Sequence, residues 1–72
     1  MTTIVKTNSG KVAHTIVKKL NAEFTVKFYY TWDCGLYTVK TRQTLDTLTF
    51  MPVVNRIVDS ILAECGADRF DS

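Results

Sequence analysis

Proline occurs once in the 72 residues, at Pro52, and glycine three times, at Gly10, Gly35 and Gly66. So few breakers exclude a Pro/Gly-rich linker or a low-complexity tract. Cysteine is scarce too, at Cys34 and Cys65, and His14 is the only histidine. A zinc site needs about four protein ligands, or three and a water. These residues supply no such set locally, so the reading is no metal and no cofactor. The cysteines form no C-x-x-C pair. They read as two reduced thiols, Cys34 in a turn and Cys65 on an apolar helix face. No apolar run approaches the ~20 residues of a membrane span. The opening "MTTIVKTNSGK" lacks a signal peptide's apolar core. The expectation is a cytoplasmic chain with no membrane role.

What is present argues for a folded protein. Apolar residues make up 46% of the chain, too many for a disordered tail. The length predicts a single domain, residues 1–72. The net charge of +2 hides a split. Residues 1–42 carry seven Lys and Arg against two carboxylates, a net +5, and residues 43–72 carry two against five, a net −3. A basic half joined to an acidic half predicts a dipolar surface rather than a uniformly basic one.

The segment "EFTVKFYYTWDCGLYTVKTR", residues 23–42, reads as a β-hairpin. Phe24, Val26, Phe28, Tyr30 and Trp32 alternate with Thr25, Lys27, Tyr29 and Thr31, the period of a half-buried strand. Cys34-Gly35 fits a two-residue turn of type I′. That turn pairs Asp33 with Leu36, Trp32 with Tyr37, Tyr30 with Val39 and Phe28 with Thr41. The large apolar residues then share one face, which is expected to lie beneath two helices.

Before the hairpin, Asn8 or Ser9 can cap a helix whose apolar face is Val12, Ala13, Ile16, Val17 and Leu20, ending near Asn21. After it, Pro52 suits the first turn of a helix with an apolar stripe of Val54, Ile57, Val58, Ile61, Leu62 and Cys65, closed by Gly66. Residues 2–6 read as an edge strand or a loose terminus. Residues 43–50 read as a third strand with Leu48 and Phe50 inward, or as a loop. The tail "ADRFDS" frays unless Phe70 tucks against the core. The predicted class is α+β: a small two-layer sandwich, a hairpin or three-stranded antiparallel sheet with two helices on one face, in the order α-β-β-(β)-α.

On this register the outer hairpin face gathers Thr25, Lys27, Tyr29, Thr31, Leu36, Thr38, Lys40 and Arg42, with Lys27 opposite Arg42 and Tyr29 opposite Lys40. A tyrosine among cations is a common hot-spot composition. The face is therefore expected to bind a protein partner with an acidic surface. The competing reading is a solvated face whose lysines guard against aggregation. The broad stripe of the last helix, with Met51 and Val53 beside it, predicts a homodimer through that helix as a second contact.

Nucleic acid is the weaker alternative, through the basic face of the first helix (Lys11, His14, Lys18) or the hairpin. The order α-β-β-β-α resembles that of double-stranded-RNA-binding domains, in topology alone. The last helix opens "TFMPVVNR", without a basic cluster for phosphates. Tyr29 is the lone aromatic on the outer face, where a base-stacking sheet needs several. Catalysis finds less support still. "NSGK" lacks the rest of a phosphate loop, and Asp59 and Glu64, five apart, do not share a helix face. The reading is not an enzyme. In size and lack of catalytic chemistry the chain is similar in type to the small regulators and inhibitors that phages and mobile elements encode. No motif carries that likeness.

Overall fold

Cys34 and Gly35 both take positive φ, 53° and 83°, as a type I′ turn requires. Around them, strands β2 (Tyr29–Asp33) and β3 (Leu36–Thr41) pair antiparallel in the expected register, with Tyr30 opposite Val39 and Trp32 opposite Tyr37. The computed structural model describes residues 1–70.

The third strand lies at the N-terminus, as β1 (Thr2–Thr7). It pairs antiparallel with β3, so the sheet order is β1-β3-β2. A bulge between Thr3 and Val5 inserts Ile4 as an extra residue. Both Ile4 and Val5 are thereby buried, which strict alternation would forbid. Helix α1 (Gly10–Glu23) is capped by the Ser9 hydroxyl, which accepts from the Val12 N–H at 3.3 Å. Helix α2 (Phe50–Cys65) ends at Gly66, whose left-handed φ of 63° suits glycine. The class is α+β, with both helices on one face of a three-stranded antiparallel sheet. The order is β-α-β-β-α, so the topological likeness to double-stranded-RNA-binding domains falls away.

Residues 43–49 form a loop, not a strand. The Thr2 hydroxyl donates to the Gln43 carbonyl at 2.9 Å and accepts from the Leu45 N–H at 3.2 Å. These bonds draw the loop past the start of β1 and send Leu45 into the core. Leu48 is left 85% exposed, against the inward position a third strand would give it. The loop delivers α2 beside β1, where it packs on β1 and α1 while α1 crosses all three strands.

That offset corrects the expectation for the aromatic face. Phe28 is 4% exposed and lies in the core with Ile4, Val39 and Val58. Trp32 is 65% exposed, because α2 does not reach β2 and the start of α1 covers Tyr37 instead. A Cβ on Gly10 would stand 3.0 Å from the Tyr37 ring. Residues 24–28 are irregular, with Phe24 and Val26 only partly buried.

The stripe of α2 is covered within the chain. Val54, Val58, Ile61 and Leu62 are buried and Met51 partly so, which leaves Val53 at 42% exposure. Cys65 is exposed rather than on the apolar face. The tail is docked as far as it is described. The Arg69 guanidinium donates to Asp59 (2.9 Å), Asn55 (2.9 Å) and the Ile4 carbonyl (3.0 Å), and the Phe70 N–H donates to the Lys6 carbonyl at 2.9 Å. Asp71 and Ser72, the end of the expected frayed tail, lie outside the described residues. No described helix is long and apolar enough to cross a membrane.

Candidate functional site

Both helices occupy one side of the sheet, so among the described residues the other side has no second layer. The pairings order that outer face in rows: Lys6, Thr38 and Thr31 across one, Thr3, Lys40 and Tyr29 across the next. Arg42 follows β3. Its Cζ lies 5.9 Å from the centre of the Tyr29 ring, and the Lys40 Nζ lies 6.0 Å from it. Both are within reach of the ring quadrupole. Among the described residues, neither Lys6, Lys27, Lys40 nor Arg42 lies within ion-pair distance of a carboxylate.

Beside Tyr29 opens a cleft of about 490 Å³, lined by Lys27, Phe28, Tyr29, Thr41, Arg42 and Gln43. The structure thus brings Lys27, Tyr29 and Arg42 around one concavity, with Lys40 near the same ring but not lining the cleft. Three details depart from the sequence reading. The expected cross-strand pair of Lys27 and Arg42 does not form, because β2 begins at Tyr29. Thr25 lies in the irregular segment and is not part of the sheet face. Thr38, on the central strand, is only 7% exposed, so its hydroxyl offers little to a partner, while Thr31 is half-buried.

Four positions were missed. Lys6 and Thr3 join the face through the β1–β3 pairing, a contact between segments more than thirty residues apart that no local pattern announces. Gln43 and Thr41 enter the cleft because the chain bends away after β3. The Gln43 N–H turns back to the Thr41 hydroxyl at 3.4 Å, a short turn of the kind Thr favours.

A second concavity, about 460 Å³, lies between the helices and is lined by Thr15, Lys19, Arg56, Ile57, Ser60, Ile61 and Glu64. Lys19 is already paired with Glu23 at 3.0 Å. Among the described residues, no three His, Cys, Asp or Glu side chains gather as a metal site. His14 is exposed, its ring edge-on to Tyr30 at 6.3 Å. The Cys34 thiol hydrogen-bonds the Asp33 carboxylate at 3.4 Å. That bond and the carboxylate's charge push the thiol above its ordinary value, which lowers its thiolate fraction at neutral pH.

No family model matches this chain, and neither does any curated protein or solved structure. The functional reading therefore rests on the geometry of the outer face.

Proposed function

We propose that this chain is a small non-enzymatic binding protein whose outer sheet face docks an acidic surface of a protein partner. One observation carries the reading. Lys40 and Arg42 both lie about 6 Å from the Tyr29 ring centre, beside an open cleft that Lys27 also lines, and no described carboxylate lies within ion-pair distance of these cations. A partly buried aromatic with an apolar ring, a polar tip and flanking cations is the composition of an interface anchor. An acidic patch approaching this face would gain charge complementarity without first breaking internal ion pairs. The reading extends to a regulator or inhibitor of a larger assembly, of the kind phages and mobile elements encode, since a chain this small works by occupying a surface. Its proposed place of action is the cytoplasm. Two free, exposed thiols agree with a reducing compartment.

The test is capture of partners from the source cell with nuclease present, using wild type beside a Lys27→Glu/Tyr29→Ala/Lys40→Glu variant shown to fold by circular dichroism. The expected result is an acidic protein held by wild type and lost by the variant, with binding that weakens only gently in salt. A partner retained equally by both removes this face from the reading. Binding that disappears with nuclease, or that falls steeply with salt on any duplex or single strand, transfers the cations to phosphate recognition.

A further inference from the structure

The two edges of the sheet are treated differently. The outer edge of β1 carries the Ile4 bulge and Lys6. Its carbonyls at Ile4 and Lys6 are already taken by Arg69 and by the Phe70 N–H. Bulges, lysines and a covering segment are the devices that stop an edge from pairing.

The outer edge of β2 has none of them. Its five residues, "YYTWD", contain no bulge, proline or lysine. In a two-residue hairpin the residues flanking the turn, here Asp33 and Leu36, exchange both hydrogen bonds. Alternation then directs the N–H and C=O of Thr31 and Tyr29 toward β3, and those of Tyr30 and Trp32 outward. The same parity places the backbone groups of Phe28 outward, and there the Asn21 side chain satisfies both. No described residue does this for Tyr30 or Trp32.

We propose that two copies of this chain pair through β2, antiparallel about a two-fold axis at Thr31, to form one continuous sheet. The strand is self-complementary in that register, as a two-fold interface demands. Tyr30 of one copy falls opposite Trp32 of the other, so every outward donor and acceptor of both strands is paired. The seam stops at the Asn21 clamp on one side and the turn on the other. The same pairing sets Tyr30 and Trp32 side by side on the helix-bearing face and covers the exposed indole. On the outer face, Asp33 of each copy comes opposite Tyr29 of the other, beside the cations that flank that ring. Within one chain, no described cation lies in ion-pair distance of Asp33.

Helix α1 crosses all three strands and meets the outer edge of β2 at Phe28, through Asn21, outside the paired segment from Tyr30 to Trp32. The inference concerns the edge of β2 and is tested without any other partner, although Asp33 of the second copy would compete with an acidic partner for the cations beside Tyr29.

Sedimentation equilibrium combined with amide hydrogen exchange on the full chain tests it. The weight-average mass is expected to rise from monomer toward dimer between about 10 µM and about 1 mM. Over that range the Tyr30 and Trp32 amides should slow by at least about tenfold. Thr31→Lys sets like charges across the axis and should abolish both effects without altering the fold. Trp32→Pro removes an outward donor while leaving the β3 ladder, and should do the same. A chain still monomeric at about 1 mM, or a dimer whose Tyr30 and Trp32 amides stay unprotected, overturns the proposal. So does a dimer that survives Thr31→Lys but is lost in Val53→Asp, which would put the contact on α2.

Discussion

The side-chain amide of Asn21 forms a two-way clamp on the backbone of Phe28, accepting from its N–H at 2.7 Å and donating to its carbonyl at 3.1 Å. A helix side chain here serves as a neighbouring strand would, just before β2 begins. It fixes the chain between α1 and the sheet and seats the Phe28 ring in the core. Asn21→Ala leaves both backbone groups to water and should cost about 1–2 kcal/mol. Asn21→Asp keeps the acceptor and loses the donor, so it should fall between. Urea denaturation with unchanged m-value reads both, and a neutral Asn21→Ala would show the clamp to be incidental.

Phe28 and Trp32 share a face by parity but not a fate. Phe28→Ala should cost about 3–5 kcal/mol, as loss of a buried aromatic does. Trp32→Ala, measured on dilute protein, should stay within about 1 kcal/mol of wild type. Equal losses at the two positions would contradict the offset of α2 toward β1.

The turn offers a gain. Cys34 holds a φ of 53°, which asparagine tolerates better than cysteine, and Asn-Gly is the favoured type I′ pair. Cys34→Asn should raise stability by about 0.5 kcal/mol. A lower melting temperature in this variant would show that the thiol contact with Asp33 outweighs the backbone preference.

Asp46 ties the loop to the start of α2. Its carboxylate accepts from the Leu48 N–H at 2.8 Å and from the Thr49 hydroxyl at 2.7 Å. The Leu48 bond first, then the Thr49 bond, holds it below the ordinary value near 3.8. The fold therefore prefers the ionised form. Its contribution is complete above that ordinary value and is lost as pH falls through the lower folded value. Asp46→Asn should be less stable than wild type at neutral pH and converge with it on acidification. A stability gap that fails to narrow as pH falls below the ordinary value near 3.8 would break this account.

How much of this was legible depends on how far apart the interacting residues are. The hairpin register, the type I′ turn, the Ser9 cap, the Gly66 stop and the apolar faces of both helices are local, carried by period and turn chemistry. The position of Tyr29 opposite Lys40 follows from that register and was visible beforehand. The extent of β2 was not. Alternation from Phe24 to Trp32 satisfies a strand pattern throughout, yet the strand starts at Tyr29, because β3 ends at Thr41 and the next pair, Lys27 with Arg42, does not form.

The sequence by itself determined which segments are helix and hairpin, which side of each is apolar, and the tyrosine-cation pairing across the turn. Only the tertiary structure decided that β1 joins β3, that Lys6 enters the outer face, that Leu45 and not Leu48 is buried, and that Trp32 is left in the open. The physical reason is common to all four. Each depends on where α2 and β1 settle against the sheet, and that is set by long-range contacts such as Thr2 with residues 43 and 45 and Arg69 with Ile4. Such contacts leave no period in the chain, because their partners are neighbours only after folding.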